Sequence, residues 1–215
     1  WNDRTVYSAD CPTESLGKTL ALLSEMLFEP NFTEGAFENE RGVILREIDM
    51  CSDDSGEKAY DNLFGKMYVS SPLRYPIIGI RKKFMGVEPP DLRGYFLGRY
   101  CADNMCVCVA SALGHSEVFD AAARAFGGRG GNLKPVAVEQ EPQQQCPREV
   151  LEYSNCDVSK CLLAFKVPCG NSVESAFWEC LAMSLGDGNS SILSKKLKYG
   201  ENLADYVGAE FFSAG

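Results

Sequence analysis

Leu16, Leu20, Leu23 and Leu27 recur at i, i+4, i+7 and i+11, which places them on one face of a helix opened by Pro12-Thr13-Glu14 and stopped at Glu29-Pro30. Thr33 caps a second helix running to about Met50, with Phe37, Ile44, Leu45 and Ile48 on its buried side. After a polar connector over 51–56, Tyr60, Leu63, Phe64 and Met67 predict a third helix over about 57–68. Residues 71–80 read as a loop ending in an extended segment, and Pro89-Pro90-Asp91 opens a fourth helix to about Tyr100. Strand patterns lie at 4–10 and, most strongly, at 105–112, with a helix over 116–126 behind the latter.

Residues 127–147 show no periodicity and are rich in Gly, Pro and Gln, the composition of a linker. Beyond it come strands at 149–153 and 160–167 around a turn at 155–159. A helix follows over 173–185, with Trp178, Leu181 and Leu185 in register. A tight loop at 186–189, a short helix over 191–197 and a strand at 204–212 close the chain. The pattern predicts an α+β fold class: two consecutive units, 1–126 and 148–215, joined by 127–147, each with helices packed on a mostly antiparallel sheet.

Composition narrows the function. With 215 residues, 45% apolar and 24% charged, the chain has the make-up of a folded protein with a core. Its longest apolar run, Met105 to Leu113 with Ser111 inside it, falls well short of the roughly 20 residues a membrane span needs, so no span is expected. Thirty acidic against 21 basic residues leave a formal charge of −9, which repels a phosphate backbone and argues against nucleic acid as a partner. The ten cysteines sit mostly in apolar segments. Cys106 and Cys108 alternate with valines on one strand face, and no Cys-x-x-Cys occurs. They read as reduced, buried small hydrophobes, and the location as intracellular, the bacterial cytoplasm rather than the mitochondrial matrix. The start Trp1-Asn2-Asp3-Arg4 is neither an initiator nor a signal peptide, so the chain is expected to begin inside a longer one. The single histidine, His115, lies at a strand-to-helix turn and reads as a turn or cap residue.

The candidate chemistry is on the second helix. Glu40 and Glu47 are seven apart, hence about 20° apart around the helix and two turns along it, with Ile44 between them. Two readings stand: a solvated face with both carboxylates paired to Arg41, Arg46 or neighbours, or a partly buried acidic stripe that needs a metal or an arginine.

Several ordered runs carry a resemblance: Arg4-Thr-Val-Tyr, Leu27-Phe-Glu-Pro-Asn-Phe-Thr, Glu40-Arg-Gly-Val-Ile-Leu-Arg-Glu-Ile-Asp-Met, Tyr75-Pro-Ile-Ile-Gly and Tyr100-Cys-Ala-Asp-Asn-Met. Over about residues 3–114 the chain resembles the insulinase/pitrilysin family of zinc peptidases, closest to its bacterial processing-type members. Leu185-Gly-Asp-Gly-Asn-Ser-Ser-Ile-Leu and Asp205-Tyr-Val-Gly-Ala look like the start of that family's second α+β domain. The resemblance implies a metalloendopeptidase that hydrolyses extended peptides in an enclosed chamber. Two zinc ligands and the general base would come from a His-x-x-Glu-His helix, Glu47 would be the third zinc ligand, and Glu40 would support the site without touching the metal. No His-x-x-Glu-His occurs here. The expectation is therefore an internal fragment with both α+β units incomplete and no zinc bound at the catalytic site, its parent holding zinc and acting on peptides. A non-catalytic scaffold or partner subunit of the same family is the alternative, and a homologous partner subunit or self-association is expected.

Overall fold

A computed structural model describes residues 3–131, 133, 136, 139–168 and 172–212. The chain forms two compact units, Arg4–Leu162 and Leu163–Gly215 with Trp1–Asp3.

In the larger unit a 3-10 turn at Thr13–Ser15 leads into α1 (Leu16–Phe28). α2 (Glu34–Asp53) starts where the Thr33 hydroxyl accepts from the Ala36 N–H at 3.2 Å, satisfying one of the donors that a helix start leaves open. It runs past the predicted end and turns a single-residue corner at Asp54, whose carboxylate accepts from the Gly56 and Glu57 N–H groups at 2.6 and 3.0 Å. α3 (Ser55–Met67) begins there. A one-turn α4 (Arg81–Phe84) precedes α5 (Pro89–Arg99), where Asp91 reaches back to accept from the Glu88 N–H at 2.9 Å. α6 is His115–Phe126.

The core of this unit is helix on helix. α1 packs along α6: Leu20 is 4% exposed, the Phe28 and Phe126 rings meet edge to face at 6.3 Å, and the buried Ser24 hydroxyl donates to the Ala125 carbonyl at 2.6 Å. α2 packs against α3 with Ile48 as its buried residue. Phe32 packs edge to face on Phe96 at 5.2 Å, and Tyr7 and Tyr100 share a hydroxyl hydrogen bond of 2.8 Å.

In the smaller unit α7 (Ser172–Gly186) is followed by a loop that turns at Gly188 (φ +71°) and by a π-helical stretch, Ser194–Gly200, later than the predicted 191–197. Residues 208–209 lie so close to the end of α7 that a Cβ on Gly186 would sit 2.2 Å from the Ala209 nitrogen; only glycine fits there. Ser191 and Ser194 are buried beside this loop, the Ser194 N–H donating to the Ser191 hydroxyl at 3.3 Å.

The α+β expectation is overturned: among the described residues the regular structure is all helical, with no strand and no sheet. Residues 4–10, 105–112, 149–153, 160–167 and 204–212 carry strand-type sequence but form no ladder. Strand propensity measures how well side chains fit a pleated, half-buried surface; the strand itself exists only through a neighbour's hydrogen bonds, which alternation in sequence cannot supply. The same fact corrects the cysteine reading. Cys106, Cys108, Cys161 and Cys180 are exposed rather than buried, and among the described cysteines Cys101 alone is buried.

Candidate functional site

α2 is held on one flank by two arginines. The Arg41 guanidinium donates to the Val87 carbonyl, lies 3.3 Å from Glu38 and 3.7 Å from Glu88, and covers the Phe37 ring at 4.7 Å. Arg81 meets the Asp49 carboxylate at 2.5 Å and reaches the Leu45 carbonyl at 3.4 Å. Residues 41, 45 and 49 share one helix flank by their spacing of four, and Glu40 and Glu47 lie on roughly the opposite one, at about 100° per residue.

Both glutamates are exposed, and among the described residues neither side chain carries a hydrogen bond or an ion pair. The pairing considered for them with Arg41 or Arg46 is not made, because Arg41 is committed to Glu38, Glu88 and the Val87 carbonyl. Ile44 is half-buried between them, while Val43 and Met50 on the adjoining surface are exposed. The result is a helix face that presents two unpaired carboxylates two turns apart, flanked by apolar side chains and anchored from behind.

Such a face can supply a carboxylate to a cation, but it does not make a zinc centre unaided. Zinc at a peptidase site takes three protein ligands, and among the described residues no group of three or more His, Cys, Asp or Glu side chains gathers closely enough to hold a metal. His115 does not join the face: it is the first residue of α6, exposed, with its ring stacked on Phe119 at 6.4 Å. A hollow of about 220 Å³ between the α1–α2 loop and α5, lined by Phe28, Phe32, Arg93 and Phe96 among others, includes neither glutamate.

Residues 86–215 match the family model described as the peptidase M16 inactive domain, and residues 2–80, which include all of α2, match that of the insulinase family, peptidase family M16. The chain belongs to the M16 insulinase family. Mitochondrial-processing peptidase subunit beta of Caenorhabditis elegans is 30% identical to this M16 chain over 125 residues, 58% of the chain and 27% of that protein. An uncharacterized zinc protease of Rickettsia felis is 26% identical over 125 residues, 58% of the chain and 30% of that protein. The chain therefore spans less than a third of the length of these relatives. Among solved structures, a protease from Helicobacter pylori superposes with a TM-score of 0.72 at 23% identity, covering 89% of this chain and 48% of that one; this likeness shows the fold.

The sequence names Arg41 only as a candidate partner of Glu40 and Glu47, and does not point to Arg81 as an anchor of α2. Beside its local partner Glu38, Arg41 binds Val87 and Glu88, 46 and 47 residues away, and no local spacing reveals those two.

Proposed function

We propose that this M16 chain is the glutamate-bearing part of a zinc metalloendopeptidase, with Glu47 the third zinc ligand of the whole protein and Glu40 a carboxylate that orients the site. One observation carries the reading: Glu40 and Glu47 lie exposed and unpaired on a single face of α2, inside the segment that matches the insulinase model. A charge left unpaired on a fixed helix flank is a donor available to a cation. The two histidine ligands and the general base would come from a His-x-x-Glu-His segment elsewhere in the whole protein. Zinc held there would activate water for attack on a peptide carbonyl. Peptides are the proposed substrates, taken in extended form within an enclosed chamber, and a homologous subunit is the proposed partner. The proposed setting is a reducing, intracellular one.

Zinc analysis and cleavage of an unstructured peptide by the full-length protein test this reading. Wild type is expected to hold one zinc per site and to cleave; Glu47→Gln to lose both; Glu40→Gln to keep most of the metal with activity reduced about 10–100-fold, the usual cost of losing a supporting group around a metal. Full zinc and full activity in Glu47→Gln would refute the assignment. The 215-residue chain alone is expected to take up no zinc at micromolar concentration and to cleave nothing.

The alternative is a non-catalytic scaffold or partner subunit of the same family. It requires a degenerate histidine motif in the whole protein, so an intact His-x-x-Glu-His rules it out.

A further inference from the structure

Residues 141–160 follow α3 from its C-terminal end back to its start, and at each step the contact is a charged side chain on a polar group. The Glu141 carboxylate accepts from three successive amides just past α3: Val69 N–H at 2.8 Å, and Ser70 and Ser71 N–H at 2.9 Å each. The Arg148 guanidinium donates to the last carbonyls of the helix, Lys66 at 3.0 Å and Met67 at 3.1 Å. In the middle of the helix Glu152 accepts from the Asn62 amide and lies 3.9 Å from the Lys58 ammonium. At the start of α3, Lys160 stands beside Gly56, near the Asp54 carboxylate that the Glu57 and Gly56 amides hold below its ordinary value.

At the C-terminal end of α3 the signs match the backbone. An anion sits on free N–H groups and a cation on the free carbonyls of a helix C-terminus, the two ends of the peptide dipole that bind charge best. Apolar packing contributes little: Val150, Leu151, Tyr153 and Val158 are exposed, Tyr153 to 90%.

We propose that residues 141–160 are a strap docked electrostatically along α3, and that the Val69–Ser71 amides are a carboxylate-binding site whose resident ligand is Glu141. The strap orders the turn after α3 and covers the open carbonyls of its last turn. Because its contacts are half-exposed charge pairs and its apolar side chains are unused, it detaches without opening the α1–α6 core, and high salt favours the detached state.

The test is amide hydrogen exchange on the full-length protein. In Glu141→Ala the Val69, Ser70 and Ser71 amides are expected to exchange at least about ten-fold faster, with α1 and α6 unchanged. Sodium acetate, but not sodium chloride at the same ionic strength, is expected to restore part of the protection, because free carboxylate refills the vacated site. Arg148→Ala, which leaves the carboxylate site intact, is expected to speed chymotryptic cleavage after Tyr153 several-fold, and it keeps the idea testable should Glu141→Ala fail to fold. Unchanged exchange at residues 69–71 in Glu141→Ala would overturn the proposal, and so would faster exchange spread equally over α1 and α6. None of these readouts depends on zinc or on peptidase activity.

Discussion

Asp54 shows how much one side chain decides. Its carboxylate ends the register of α2 and begins α3 by taking the Gly56 and Glu57 amides, and those bonds hold its carboxyl below the ordinary value near 3.8. A depressed carboxyl stabilises the fold above the unfolded-state pKa and loses that contribution as pH falls through the folded one. Asp54→Ala is accordingly expected to melt below wild type at neutral pH, with the gap closing on acidification, as followed by circular dichroism. Tyr100 has the opposite sign. Burial, then the hydrogen bond with Tyr7, pushes its phenol up to about 12. Its contribution is fully present below pH 10 and is lost as pH rises from there toward about 12. Tyr7→Phe removes the hydrogen-bonded neighbour, so ultraviolet titration of this variant is expected to show Tyr100 ionising earlier. The Tyr100 property is not legible in the sequence, because Tyr7 and Tyr100 are 93 residues apart.

At the scale of elements the helices were largely legible and the strands were not. The leucine face of α1, the Thr33 cap of α2, the aromatic face of α3 and the Pro-Pro-Asp start of α5 all follow from periodicity and capping, which depend on residues within one or two turns. The pairing of α1 with α6 is a tertiary matter, and Leu20 is its most buried apolar residue on α1. Leu20→Ala should cost about 2–5 kcal/mol in chemical denaturation, the range for emptying a core leucine site. Ser24→Ala, which removes a buried hydroxyl from the Ala125 carbonyl, should cost about 1 kcal/mol. The segments with strand-type alternation stand without ladders, and one of them, 149–153, falls within the run that follows α3 through Arg148, Glu152 and Lys160.

For the whole molecule the informative quantity is uncovered surface. Leu163, Phe165 and Tyr153 are each at least 79% exposed, and Val6, Leu151 and Tyr206 add to the apolar area left open. Surface of this kind is covered by other protein in a stable state. The 215-residue chain on its own is therefore expected to self-associate at micromolar concentration by light scattering and to bind an apolar fluorescent dye; a monodisperse, dye-free monomer would contradict this. The sequence by itself determined most of the helices, the Thr33 cap and the Pro-Pro-Asp start, the family, and that Glu40 and Glu47 share one helix face, because each rests on neighbours within a few turns or on an ordered string of motifs. Only the tertiary structure decided that those glutamates stand free while Arg41 and Arg81 hold the other flank, that Glu141 closes on three amides 70–72 residues away, and that the strand-like segments lack ladders. Long-range pairing depends on which groups meet in space, and separation along the chain carries no record of that meeting.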